Sequence, residues 1–214
     1  MKKLIVTLIL TAGVYSYSHA QGSVDVYNIG GANGNYTNGA LSSYSGGTSS
    51  GGVSALTGTA ANGYIYELLF ATFGGPVPSA NPLAAVWSGV MGATNYLVAG
   101  GIRGTGAAVG TTIAGWPGAQ TYFELVGWSS NLGLTWGSLS NQVATGTWSA
   151  NGFFGVSPVS IITPSVSPAP AQGIFGGTGL ASGITLYAVL VPEPTTMALV
   201  GLGGLSLLLF RRRK

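Results

Sequence analysis

The sequence predicts an all-β fold: an antiparallel, β-sandwich-like, glycine-rich ectodomain between an N-terminal signal-peptide helix and a C-terminal transmembrane helix. Three observations carry that reading. Short aromatic and β-branched runs flanked by Gly or Asn recur through the middle of the chain, as strands require. Helical periodicity is missing there, and 37 glycines in 214 residues leave few windows able to hold a helix. Each end instead carries one apolar run with basic residues beside it.

The N-terminal element spans 1–20. Met1-Lys2-Lys3 is followed by the apolar stretch Leu4 to Val14 and then Ser18-His19-Ala20, with small residues at both positions a signal peptidase reads. All three parts of a secretory signal are present, so cleavage between Ala20 and Gln21 is expected, with the Sec export machinery and signal peptidase as partners. A buried N-terminal helix or a retained anchor is the alternative, but the run is short for spanning.

Residues 21–191 form the expected ectodomain. Asp25, near its start, reads as a turn residue. The stretch 30–52 is rich in Gly, Ser, Asn and Thr and reads as a low-complexity loop or weakly ordered edge. Core signal begins near Val53. Strands are expected at Tyr64 to Phe73, Asn95 to Ala99, Tyr122 to Trp128, Leu139 to Thr145 and Ile184 to Leu190, with turns such as Gly74-Gly75-Pro76 and Trp116-Pro117-Gly118. A proline-rich segment, 158–170, reads as extended, and a further strand lies within Ile174 to Leu190.

The C-terminal element, 192–214, has three parts. Pro192-Glu193-Pro194 leads, the apolar run Met197 to Phe210 follows, and Arg211-Arg212-Arg213-Lys214 closes it. A basic cluster resists translocation, so it marks the inner side of a membrane that the middle has crossed. Fourteen residues rise only about 21 Å as a helix against a hydrocarbon core of ~30 Å. A marginal anchor with a motif on its outer side has the layout of a processing signal.

Those residues resemble a PEP-CTERM sorting domain: Pro192-Glu193-Pro194 is its motif, Ala198 to Phe210 its apolar helix, and Arg211 to Lys214 its basic stop. The resemblance covers about the last 23 residues. It implies an exosortase as processing partner, passage through the inner membrane by way of the tail, and a destination at the cell surface or in the extracellular matrix. It implies nothing about what the ectodomain does. A looser resemblance to PEP-CTERM ectodomains covers the region of Phe123 to Ser157 and brings no active site.

Charge and residue inventory then exclude function classes. The formal net charge is +3, but six of the seven basic residues lie in the two end elements. Between Gln21 and Val191 the charges are Asp25, Glu67, Glu124 and Arg103, a net of −2. With no basic patch, nucleic acid is not an expected partner. The chain has no cysteine, so no disulfide staples the ectodomain. Past Ala20 there is no His and no Lys before the tail, which removes imidazole- and thiol-based catalysis, the P-loop lysine and the usual metal sites. No cofactor is expected, and no enzymatic activity.

What survives chemically is a carboxylate pair, Glu67 and Glu124, since glycoside hydrolysis needs only two acids at suitable separation. Each sits between aromatic and apolar neighbours in a strand, and the plainer expectation places both on solvent faces. Gly104-Thr105-Gly106 with Glu124 beyond it is a poor dinucleotide fingerprint, because Val109 stands at the third glycine position. Trp87, Trp116, Trp128, Trp136 and Trp148 could stack on sugar rings, although core packing is the commoner use. Two functional classes therefore stand: a structural or interaction protein of the surface or of an exopolysaccharide-associated matrix, and a carbohydrate-binding module or two-carboxylate glycosidase acting on polysaccharide.

Overall fold

The computed structural model describes residues 22–28, 34–59, 63–104, 111–112, 120–166, 170–176, 179–180 and 183–191. The expected signal peptide and sorting tail lie outside these residues. So do the motif residues Pro192, Glu193 and Pro194, the basic cluster Arg211 to Lys214, and the cleavage pair Ala20 and Gln21.

The strands are β1 (Gly22–Asp25), β2 (Tyr27–Asn28), β3 (Tyr36–Leu41), β4 (Ser54–Leu56), β5 (Tyr64–Thr72), β6 (Ser88–Asn95), β7 (Ile102–Gly104), β8 (Thr111–Thr112), β9 (Thr121–Ser129), β10 (Gly152–Val156), β11 (Ser160–Ile162), β12 (Ser165–Val166), β13 (Gln172–Gly173) and β14 (Thr185–Val189). A ten-stranded sheet runs β2-β7-β6-β5-β9-β10-β14-β3-β4, with β11 continuing alongside β9. Its pairings are antiparallel except β14 with β3. A second sheet gathers β8, β12 and β13 around β1.

The expectation of a mostly β fold holds, but the two-layer sandwich gives way to a sheet that curls. The turn between β6 and β7 reaches the far side of the sheet: Gly100 donates to the Thr57 carbonyl and accepts from the Asn35 N–H, each at 2.9 Å. Inside the curl, Tyr66 and Leu68 of β5 pack with Phe123 and Leu125 of β9, Ile102 of β7 and Leu186 of β14. Val24 and Val26, at the small sheet, close the same core. Gly127 lets this happen, because a Cβ there would come within 2.7 Å of the Tyr66 ring.

A second core covers the outer face, where Leu69, Val126, Trp128, Phe154 and Val189 meet Leu139 and Val143 of the one described α-helix, α1 (Trp136–Thr145). This helix corrects the expected strand at Leu139 to Thr145. Its cap is local: Thr135 accepts from the Ser138 N–H at 3.3 Å, and Gly146 ends the helix at φ 63°. Leu139 and Val143, four residues apart, supply the buried stripe that tertiary packing rewards.

Three further expectations change. The strand at Asn95 to Ala99 is in fact the end of β6 followed by a turn at Gly100, φ 75°. The stretch 30–52 holds β3, which joins the sheet at Tyr36–Leu41, and then a loop from Ser42 to Gly52 that contains a 3₁₀ turn at Ser43–Ser45 capped by Ser42. Asp25 belongs to β1, paired with Gly173, not to a turn. The extended reading of 158–170 matches β11 and β12. No helix among the described residues is long and apolar enough to cross a membrane.

Candidate functional site

The two expected processing boundaries adjoin strands of the fold. β1 begins at Gly22, one residue past Gln21. β14 runs to the buried Val189, leaving Leu190 and Val191 before Pro192. Val191 is tied down, its N–H donating to Asn151 Oδ1 at 2.8 Å. The structure puts a sheet strand immediately inside each expected junction.

The acids come together, though not as expected. β5 and β9 pair so that Glu67 lies opposite Val126 and Leu69 opposite Glu124. Partners in register share a face, so both carboxyl groups project from the outer face on a diagonal, where side chains stand roughly 7–8 Å apart. That spacing alone would suit a pair of catalytic carboxylates. Burial argues the other way. Glu124 is 0% exposed, and neither of its oxygens has a hydrogen-bond partner. Burial raises its pKa to about 8, so the group is mostly a neutral acid at pH 7. Tyr44 is nearby; burial, and secondarily the Glu124 charge, push its phenol up.

The solvent-face expectation is therefore corrected for Glu124. β9 is covered on both faces from Thr121 through Trp128, which no alternation in its sequence announces. Glu67 is half-buried. Burial raises its pKa, and a hydrogen bond from the Trp136 N–H opposes the rise, so this carboxylate holds the first turn of α1, where the helix dipole favours negative charge.

Of the tryptophans, Trp128 and Trp148 are core residues, 0% and 2% exposed, and Trp87 and Trp136 pack partly buried against the same cluster. Trp116 lies outside the described residues. What the sequence did not reveal is a cavity of about 290 Å³ on the outer side, lined by Ser42, Tyr44, Ser49, Phe154, Ser157 and Tyr187 among others, none of them charged. Its walls come from four separate stretches of chain, 42–49, 80, 154–158 and 187, so no local signal could have assembled it. Among the described residues, no cluster of three or more His, Cys, Asp or Glu is placed to hold a metal ion.

Comparison with known proteins assigns the tail. Residues 190–214 match the family model of the PEP-CTERM protein-sorting motif. No curated protein matches the chain, and no solved structure does. The chain thus carries at 190–214 a PEP-CTERM sorting motif, the signal for export and exosortase-mediated delivery to the cell surface or beyond.

Proposed function

We propose that this chain is a non-enzymatic surface or extracellular-matrix protein with a structural or interaction role. In this reading it is exported by the Sec machinery, cleaved by signal peptidase after Ala20, held in the inner membrane by Met197 to Phe210, and released from that tail by an exosortase. The observation that carries it is the sorting motif at 190–214. Support for a non-catalytic ectodomain comes from the burial of Glu124, which takes the one plausible acid pair out of reach of a polymer chain. A tag inserted before Pro192 should follow the ectodomain to the surface or medium, while a tag after Lys214 should part from it. Mature surface protein whose mass still includes Arg213-Lys214 would overturn the processing step.

Carbohydrate binding is the second reading, and the cavity favours it. Aromatic rings from Tyr44 and Tyr187 beside serine hydroxyls suit a neutral polyhydroxylated ligand. A glycan array with the purified ectodomain decides: binding that Tyr44→Ala abolishes supports this role, and silence across a broad panel leaves the structural one.

A further inference from the structure

We infer that one end of the ectodomain, formed by Asn131 to Leu134, Asn151 and Leu190-Val191, lies against the lipid bilayer while the chain still carries its tail. The inference rests on the reading of Met197 to Phe210 as a membrane segment and adds to it an orientation and a contact surface.

Chain length sets the first constraint. Val191 is fixed to the fold through Asn151, and the apolar run starts at Met197. Six residues, fully extended, reach no more than about 20 Å. The end of the domain holding Val191 therefore stays within about 20 Å of the hydrocarbon edge, close enough for that end to rest on the headgroups.

The sheet register identifies what else is at that end. Gly152 pairs with Val189 and Phe154 with Trp128, so the start of β10, the end of β14 and the end of β9 emerge together. Asn131, just past β9, donates from Nδ2 to the Asn151 carbonyl at 2.7 Å. Asn151 thus binds the β9–α1 connection to the exit of β14.

Surface chemistry then fits a lipid partner. Leu134 is 73% exposed, Leu190 52% and Val191 41%, bare aliphatic side chains that contact with lipid would cover. Segments 129–137, 149–152 and 190–191 contain no charged residue, so bringing them to the interface desolvates no ion. Glu67, close behind through its bond to the Trp136 N–H, is half-buried. Exposed apolar residues also occur in the β5–β6 connection, where Val77 is 66% exposed. That connection leaves from the opposite end of β5, and no tail brings it to the membrane.

The absence of cysteine makes the test direct. Single variants Leu134→Cys, Leu190→Cys, Val77→Cys and Leu202→Cys would carry an environment-sensitive fluorophore. The full exported chain, taken from a host without an exosortase, would be reconstituted in phosphatidylcholine–phosphatidylglycerol vesicles containing a shallow lipid-borne quencher. Labels at 134, 190 and 202 should shift to the blue and be quenched, and the label at 77 should report water. A quenched label at 202 with aqueous labels at 134 and 190 overturns the contact surface and leaves the tail reading intact. Quenching at 77 as strong as at 134 overturns the orientation. An aqueous label at 202 overturns the membrane reading of the tail and the inference with it.

Discussion

Gly127 on β9 lies directly across from Tyr66 on β5, and the side chain it lacks is the space the Tyr66 ring fills. A Cβ at 127 would stand 2.7 Å from the ring and 2.9 Å from Leu186 Cδ2. Gly127→Ala should therefore force Tyr66 or Leu186 aside and lower stability by about 1–3 kcal/mol, the usual cost of overpacking a filled core. Gly155, paired with Gly127, faces a harder obstacle, the backbone carbonyl of Thr185. Gly155→Ala should cost more than Gly127→Ala, and urea midpoints of the two variants check the order.

A pH dependence follows from Glu124. Its pKa is raised from 4.5 to about 8 by burial, so the folded state binds the proton more tightly than the unfolded state. Stability from this group is fully present below pH 4.5, is lost as pH rises, and is gone above pH 8. The loss cannot exceed about 1.4 kcal/mol per pH unit for one proton. Glu124→Gln, a neutral mimic of the protonated acid, should match the parent at pH 4.5 and surpass it at pH 9. Thermal unfolding of both proteins across that range is the measurement; parallel curves would refute the assignment. Glu67, also raised by burial but held down by the Trp136 N–H, adds a weaker slope of the same sign.

Helix α1 offers a local test. Thr135 accepts from the Ser138 N–H at 3.3 Å, and Ser138 donates through Oγ to the Thr135 carbonyl at 2.8 Å. Thr135→Ala should cost about 1 kcal/mol through the lost cap. Thr135→Asn should restore most of it, since Asn caps at least as well. Chemical denaturation of the three proteins decides, and equal midpoints would mean that Leu139 and Val143 alone hold the helix in place.

Local chemistry made some of this fold legible and hid the rest. The strands around Tyr64, Tyr122 and Thr185 announce themselves because aromatic and β-branched residues cluster there between Gly and Asn. Ser88–Asn95 stayed hidden because Gly89 and Gly92 interrupt it, and Trp136–Thr145 because its short apolar set, Leu139 and Val143 among polar residues, reads equally as a strand at Leu139 to Thr145. The pairing of β5 with β9, and hence the diagonal of Glu67 and Glu124, is a non-local fact. So is the burial of Glu124, which depends on α1 and the Tyr44 segment covering a face that its own strand leaves undetermined. The tail was legible because its signal is linear: a motif, an apolar run and a basic cluster in fixed order.

Strand β14 separates what the ectodomain needs from what the proposed cleavage would remove. Leu186 and Val189 of β14 are both 0% exposed, and β14 lies between β10 and β3 within the large sheet. Beyond it, among the described residues, Val191 is bonded to the body through Asn151. A chain ending at Val191 should therefore unfold cooperatively, with a midpoint within about 0.5 kcal/mol of the protein carrying its tail, as for changes away from the core. Ending the chain at Gly183 deletes β14, strips the partners of Phe154 and Tyr36, and opens both cores; that protein should lack a folded near-ultraviolet signature. Cleavage near Pro192 would then release a complete domain. Should the chain ending at Val191 fail to fold while the full chain folds, the tail would have to belong to the domain, and removal after export would be incompatible with a stable mature protein.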